Sequence, residues 1–293
     1  MNSNVQSLKA FLSSAGRVAL VEVAGTKGST PREKGAFMLV SQTAIFGTIG
    51  GGQLEYMAID KARQMVGKEA RIEVDEICAT LDVPLGPEIG QCCGGRVEVL
   101  IRLVDAALAA ELVAVAEAEE AHLPHVYIFG GGHVGQALAS TIALLPVHGV
   151  VIETRAEALE GMPETVETRL TAMPEAMVRN APAGAAFAIL THDHALDFLI
   201  VAEALKRGDT AYVGMIGSKT KKATFRNWFL KSADGSQAEF ARLVSPIGGD
   251  TVKDKRPQVI AALAAAEIMT ALVSHNAALS ADHQVPHGRV MAG

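Results

Sequence analysis

Cysteine is scarce in this chain, three among 293 residues, and two of the three stand side by side as Cys92 and Cys93. So few thiols exclude a disulfide framework, and the odd count fits a compartment that keeps thiols reduced. An excess of positive charge is missing as well: 26 Lys+Arg face 32 Asp+Glu, a formal net charge of −6. That balance offers no broad cationic surface to a phosphate backbone, so nucleic acid is not expected as a partner. Residues 1–20 lack the basic start, unbroken apolar stretch and small-residue cleavage site of a secretory leader, which places the expected location in the cytoplasm. No uncharged apolar run of membrane-spanning length is expected either; the Ala-rich stretch 106–121 is broken by Glu111, Glu117, Glu119 and Glu120. What is present is core material. Apolar residues make up 49% of the chain, which excludes disorder and, at about 100–200 residues per domain, suffices for two domains.

The patterning predicts an α/β protein: an N-terminal mixed α/β domain followed by a Rossmann-like, doubly wound parallel-sheet domain. Residues 3–14 read as an amphipathic helix and 17–24 as a strand covered on both faces. A polar loop over 25–35 leads to strands at 36–41 and 44–48, a helix from Gly50 to about Met65, and a strand at 71–77. Residues 82–95 read as irregular and 96–104 as an alternating strand. We take 1–104 as the first domain, 105–122 as a helical linker and 123–275 as the second domain, because Pro124 and a change of composition mark the break. Beyond Ser274 the period fails, and 276–293 is expected to be a loosely held tail.

In the second domain an apolar strand ends in Gly130-Gly131-Gly132-His133-Val134-Gly135 and an apolar helix follows. Gly130 suits the tight turn, Gly132 lets a pyrophosphate approach the backbone, and Gly135 lets the helix pack closely. A nucleotide, NAD(P) among them, is the ligand class this pattern admits. Glu153 closes the next strand, where a carboxylate accepts from a ribose 2′-OH; Arg155 would instead suit a phosphate. Thr191-His192-Asp193-His194, Gly217-Ser218-Lys219 and Pro246-Ile247-Gly248 follow later strands and converge on the same sheet edge. His192 and His194 could chelate a metal, cap a helix or touch a ligand. Ser218 could cap a helix or hold an anion; Lys219, Lys221 and Lys222 could form a solvated face, or Lys219, beside a helix start, could meet a phosphate.

In the first domain Gln91-Cys92-Cys93-Gly94-Gly95 sets two thiols beside two permissive glycines. Thiolates there could bind a soft metal or carry sulfur, or one of them could be buried filler, as Cys78 is expected to be. Gly50, Gly51 and Gly52 form a nest of N–H donors at a helix start, or simply a tight turn, and Arg32 and Lys34 add cations.

These blocks resemble the XdhC family of xanthine dehydrogenase accessory proteins: Gly28-Ser29-Thr30-Pro31-Arg32 with Gly35, Gly47-Thr48-Ile49-Gly50-Gly51-Gly52 with Glu55, the vicinal cysteines, the glycine loop, Thr191–His194 and Gly214–Lys219. The resemblance spans roughly residues 5–273. It implies a chaperone rather than a catalyst. Such a protein binds the molybdenum cofactor (molybdopterin), presents it to a cysteine desulfurase for sulfuration, and inserts it into apo-xanthine dehydrogenase. Carried over by position, Cys92 and Cys93 would contact molybdenum or its sulfur, and Arg32 with Gly50–Gly52 the pterin or its phosphate; a homodimer is also implied. One departure stands out: after Gly248 the family continues Leu-Asp-Ile-Gly and an acidic helix start, whereas this chain has Gly249-Asp250-Thr251-Val252-Lys253-Asp254-Lys255-Arg256-Pro257. Two other readings remain open. One is an NAD(P)-dependent oxidoreductase with His133, His192 or His194 as acid–base groups; the other is a redox or metal sensor built on the vicinal thiols.

Overall fold

The computed structural model describes residues 4–50, 52–67, 78–85 and 94–282. They divide into two units, Asn2–Ala121 and His122–Gly293. The first unit runs α1 (Asn4–Ser14), β1 (Val18–Lys27), β2 (Phe37–Ser41), β3 (Ile45–Gly47), α2 (Gly52–Gly67), β4 (Cys78–Pro84), β5 (Arg96–Leu103) and α3 (Ala106–Ala121). Its sheet is antiparallel in the order β3-β2-β1-β5-β4. Side chains on a strand alternate between faces, and central β1 uses both. Ala19, Val21 and Val23 pack with Leu54, Ala58 and Met65 of α2, while Val18 and Leu20 pack with Leu8 of α1.

Three expectations change in this unit. The helix read as a linker packs into it: Leu108, Leu112 and Ala116 of α3 form a stripe against the α1 side of the sheet, and Lys9 bonds Glu117 at 2.6 Å. Its Ala-rich background hid that stripe. Residues 82–84, read as irregular, complete β4, with Val83 opposite Val97 and Pro84 opposite Arg96. β4 is an edge strand, where a proline is tolerated. Cys78, expected as apolar filler, is exposed at the start of that edge. The strand expected at 71–77 lies outside the described residues.

The second unit runs β6 (His125–Phe129), α4 (His133–Ile142), β7 (His148–Glu153), a 3-10 turn (Ala156–Leu159), β8 (Glu167–Leu170), α5 (Pro174–Arg179), β9 (Ala186–Ile189), α6 (His194–Lys206), β10 (Tyr212–Met215), α7 (Lys219–Ser232), α8 (Gln237–Ala241), β11 (Leu243–Val244) and α9 (Pro257–Asp282). All six strands are parallel, in the order β11-β10-β9-β6-β7-β8. This is the doubly wound Rossmann order, which reverses between β6 and β9 and opens a crevice at their carboxyl ends. One face of the sheet packs Phe129 and Phe187 with Phe225 and Phe229 of α7; the other packs Ile128 with Leu138 of α4 and Ala261 and Ile268 of α9.

β8 escaped the sequence reading because Glu-Thr-Arg-Leu at a sheet edge carries almost no apolar signal. The expected tail begins as helix: α9 continues to Asp282, although its buried face ends at Leu272, because a backbone ladder already formed propagates without burial. One segment, Pro257–Leu279, is long and apolar enough by length and composition to cross a membrane, although Glu267 interrupts it, so no uncharged run of that length is present in it. Its Ala264, Ala265, Ile268 and Leu272 pack in the core shared with α4, and its Glu267 accepts from the Gly248 N–H at 2.6 Å.

Phe187 is fully buried, with its ring 5.6 Å from that of Tyr127 and 6.3 Å from that of Phe129. Phe187→Ala is expected to destabilise the second unit by about 3–5 kcal/mol, read from urea unfolding followed by circular dichroism.

Candidate functional site

The carboxyl edge of the parallel sheet gathers most of the sequence-predicted residues of the second unit. Gly130 has φ +112°, and a Cβ there would lie 2.6 Å from the Leu190 carbonyl oxygen, so the glycine loop lies against the loop that follows β9. At Gly135 a Cβ would lie 1.9 Å from the Gly130 carbonyl, which fixes α4 tightly on the loop. At Gly131 it would lie 2.3 Å from the Ala158 carbonyl, so the 3-10 turn covers that position. Gly132 differs from all three. Its φ is −69°, nothing stands within 4 Å of a Cβ built there, and it is exposed. Among the described residues no contact calls for glycine at 132, whereas the close approach of a ligand would.

Glu153 is buried, with a side chain only 3% exposed. Its Oε2 accepts from the Gly131 N–H at 2.8 Å and from Arg155 Nη2 at 3.2 Å. Its Oε1 accepts from Thr154 N at 2.8 Å, Thr154 Oγ1 at 3.1 Å, Arg155 N at 3.2 Å and Arg155 Nε at 3.4 Å. Burial pulls the carboxyl pKa upward, but the Arg155 guanidinium and the N–H groups of Gly131 and Thr154 outweigh it and hold the pKa at about 2. The residue expected to meet a ribose instead clamps the glycine loop to the end of β7.

A second buried group was missed in the sequence. Lys221, read there as part of a solvated face, is 9% exposed; its Nζ bonds the carboxylate of Asp197, which is 0% exposed, and donates to the Ile216 carbonyl at 3.0 Å. Asp197 Oδ1 in turn accepts from Thr191 N at 3.0 Å and Thr191 Oγ1 at 2.6 Å. The pair therefore ties the loop after β9 to the loop after β10. Lys222 likewise donates to the Ser245 carbonyl at 3.2 Å instead of standing free in solvent. The available signal was Thr191-x₅-Asp197, which sets a carboxylate one turn into α6 facing back toward its own loop.

Asp193 caps α6 by accepting from Ala195 N at 2.7 Å, and Ser218 caps α7 by accepting from Lys221 N at 3.2 Å. His133, His192 and His194 are exposed along this edge. Among the described residues no three His, Cys, Asp or Glu side chains are grouped to hold a metal ion. Lys219 is 87% exposed and lies 3.5 Å from Asp250 of the atypical segment, a contact that water screens and a ligand can displace. A groove of about 580 Å³ starts at His133 and follows the outer face of α4, through Ser140 and Leu144, to Pro257. It leads away from Gly132, so the loops and not this groove define the site. The cations open to solvent at this edge, Arg155 and Lys219, together with the N-terminus of α4, suit an anion.

In the first unit the motif loops also meet. A Cβ on Gly50 (φ +124°) would lie 2.8 Å from Pro31 Cγ, and one on Gly95 would lie 2.2 Å from the Ser29 carbonyl oxygen. The Gly28–Arg32 loop is thus in contact with the loop before α2 and with the glycines that follow the vicinal cysteines in sequence. Thr48 Oγ1 donates to Glu55 Oε2 at 3.1 Å and accepts from Gly50 N at 3.1 Å, which fastens the approach to the helix. Gly52, with φ +68°, opens α2, and Arg32 is exposed beside this contact. Gly51, Cys92 and Cys93 lie outside the described residues.

Comparison with known proteins agrees with this architecture. Residues 126–268 match the XdhC Rossmann domain, and residues 12–75 match the XdhC and CoxI family. The chain belongs to the XdhC family. It is 26% identical to the uncharacterized protein YqeB of Escherichia coli (strain K12), over 86% of this chain and 43% of that protein, so it spans less than half of that relative's length. A solved structure from Bacillus halodurans described as a xanthine dehydrogenase superposes with TM-score 0.75 at 18% identity, covering 93% of this chain and 96% of the other. At that identity the likeness concerns the fold.

Two expectations follow for this XdhC protein. Lys221→Met leaves the Asp197 carboxylate buried without its cation and should cost about 3–5 kcal/mol in urea unfolding, whereas Asp197→Asn combined with Lys221→Met should cost clearly less than the two single changes added together. Glu153 contributes stability at pH values above the ordinary carboxylate range and loses it as pH falls toward its folded pKa of about 2. The thermal midpoint of the wild type should therefore drop between about pH 5 and pH 2, by a share on the order of 3 kcal/mol that Glu153→Gln abolishes.

Proposed function

We propose that this chain is a carrier of the molybdenum cofactor that supports its sulfuration and inserts it into apo-xanthine dehydrogenase. The observation that carries this reading is the exposed Gly132 at the start of α4, on the sheet edge that also bears Arg155 and Lys219, in a domain of the XdhC family. An anionic end of a ligand fits there. In the first unit, Arg32 and the Gly50–Gly52 loop would hold the pterin or its phosphate, and the Cys92 and Cys93 thiolates would hold molybdenum or its sulfur. When bound, the cofactor supplies a dithiolene-held metal whose oxo ligand is exchanged for a sulfido. The chain's own residues bind, orient and release. A cysteine desulfurase is the sulfur donor in this scheme, the carrier acts as a homodimer, and both partners meet it in the cytoplasm.

An NAD-dependent oxidoreductase would need a carboxylate free for the ribose 2′-OH, and Glu153 is bonded on both oxygens within its own chain. Protein purified from cells that make molybdenum cofactor should carry molybdenum and pterin near one per chain, by elemental analysis and pterin fluorescence. Cys92→Ala with Cys93→Ala should lower both at least tenfold. Bound NAD in place of molybdenum and pterin would overturn the proposal.

A further inference from the structure

A Rossmann crevice distinguishes its ligands at the end of the second strand, where a carboxylate accepts from a ribose diol or an arginine meets a phosphate. Both residue types are present here, and the geometry decides between them. A carboxylate offers about four lone-pair positions. Glu153 receives six donors from its own chain: Gly131 N, Thr154 N and Oγ1, and Arg155 N, Nε and Nη2. A diol would have to displace one of them from a side chain that is 3% exposed. The space beside it is also taken, because the Ala158 carbonyl and Met162 Cε lie against Gly131. Arg155 stands the other way. Two of its N–H groups are held by Glu153, one on the same oxygen that takes the Gly131 N–H, and its side chain remains 40% exposed. The guanidinium is thus fixed one carboxylate oxygen away from the glycine loop at Gly131, the chain neighbour of the exposed Gly132. A rigid, oriented guanidinium recognises a dianionic phosphate.

We propose that Arg155 makes this crevice selective for a ligand that carries a phosphomonoester, and that Glu153 is a positioning residue holding both the arginine and the loop. The inference rests on the reading that the crevice takes the phosphate end of a ligand, and is independent of delivery to an enzyme. Two ligands share that chemistry: a dinucleotide with a 2′-phosphorylated ribose, and the molybdenum cofactor with its terminal phosphate free.

The test is calorimetric titration of the full chain with two matched pairs, NADP⁺ against NAD⁺, and the cofactor with a free terminal phosphate against the form in which a nucleotide is joined to that phosphate through a pyrophosphate bond. In the pair that reports the true ligand, the phosphomonoester member should bind at least tenfold more tightly. Arg155→Ala should erase the difference, and Arg155→Lys, which keeps the charge without the planar fork, should restore part of it. Discrimination in the first pair alone assigns a ribose phosphate, and in the second pair alone the pterin phosphate. Equal affinities within both pairs, no binding by any probe, or a preference that survives Arg155→Ala overturns the inference. A preference for NADP⁺ in a protein that takes up no molybdenum cofactor would sink the carrier reading and leave this one standing.

Discussion

A buried carboxylate bonded on both oxygens within its own chain organises the crevice. Glu153 ends β7, turns inward and takes the Gly131 N–H, so the loop after β6 and the loop after β7 are held as one piece. An ionised carboxylate in that position is tolerable only because six donors surround it. The Asp197–Lys221 pair does the same for the next two loops by joining Thr191 to Ile216. Between them the two clusters hold the loops at the switch-point edge, and Gly132, whose carbonyl accepts from Gln136 N at 2.8 Å to start α4, stays exposed.

The first unit reaches a comparable result by different means. Its loops approach so closely that side chains are excluded, Gly95 against Ser29 and Gly50 against Pro31, with Arg32 exposed beside the second contact. Backbone fixed this way loses little entropy when a ligand arrives. A carrier needs such a cradle more than it needs a proton-transfer relay, since its task is to hold and release a reactive group.

Much of this was legible in the sequence. The strand and helix cadence, the glycine loop and the placement of Glu153, Arg155 and the Thr191–His194 segment at one edge all follow from periodicity and from the rule that parallel sheets bind ligands at their carboxyl ends. What escaped depended on neighbours distant in the chain. Lys221 lies in a run of lysines that looks solvated, and only the fold brings Asp197 over it. Glu153 looks like a ribose ligand because its true partner is a backbone N–H, which no side-chain pattern records. β8 and the α3 stripe were missed for the opposite reason, too little contrast between buried and exposed positions.

The central claim is that the ligand seats on the open part of the glycine loop. Amide hydrogen exchange, followed by mass spectrometry with and without molybdenum cofactor, tests it directly. The account requires added protection at residues 130–135 and 154–159 and little change in the middle of β6 and β9, which are already buried. Protection confined to other surfaces, with the glycine loop exchanging as freely as before, would contradict it.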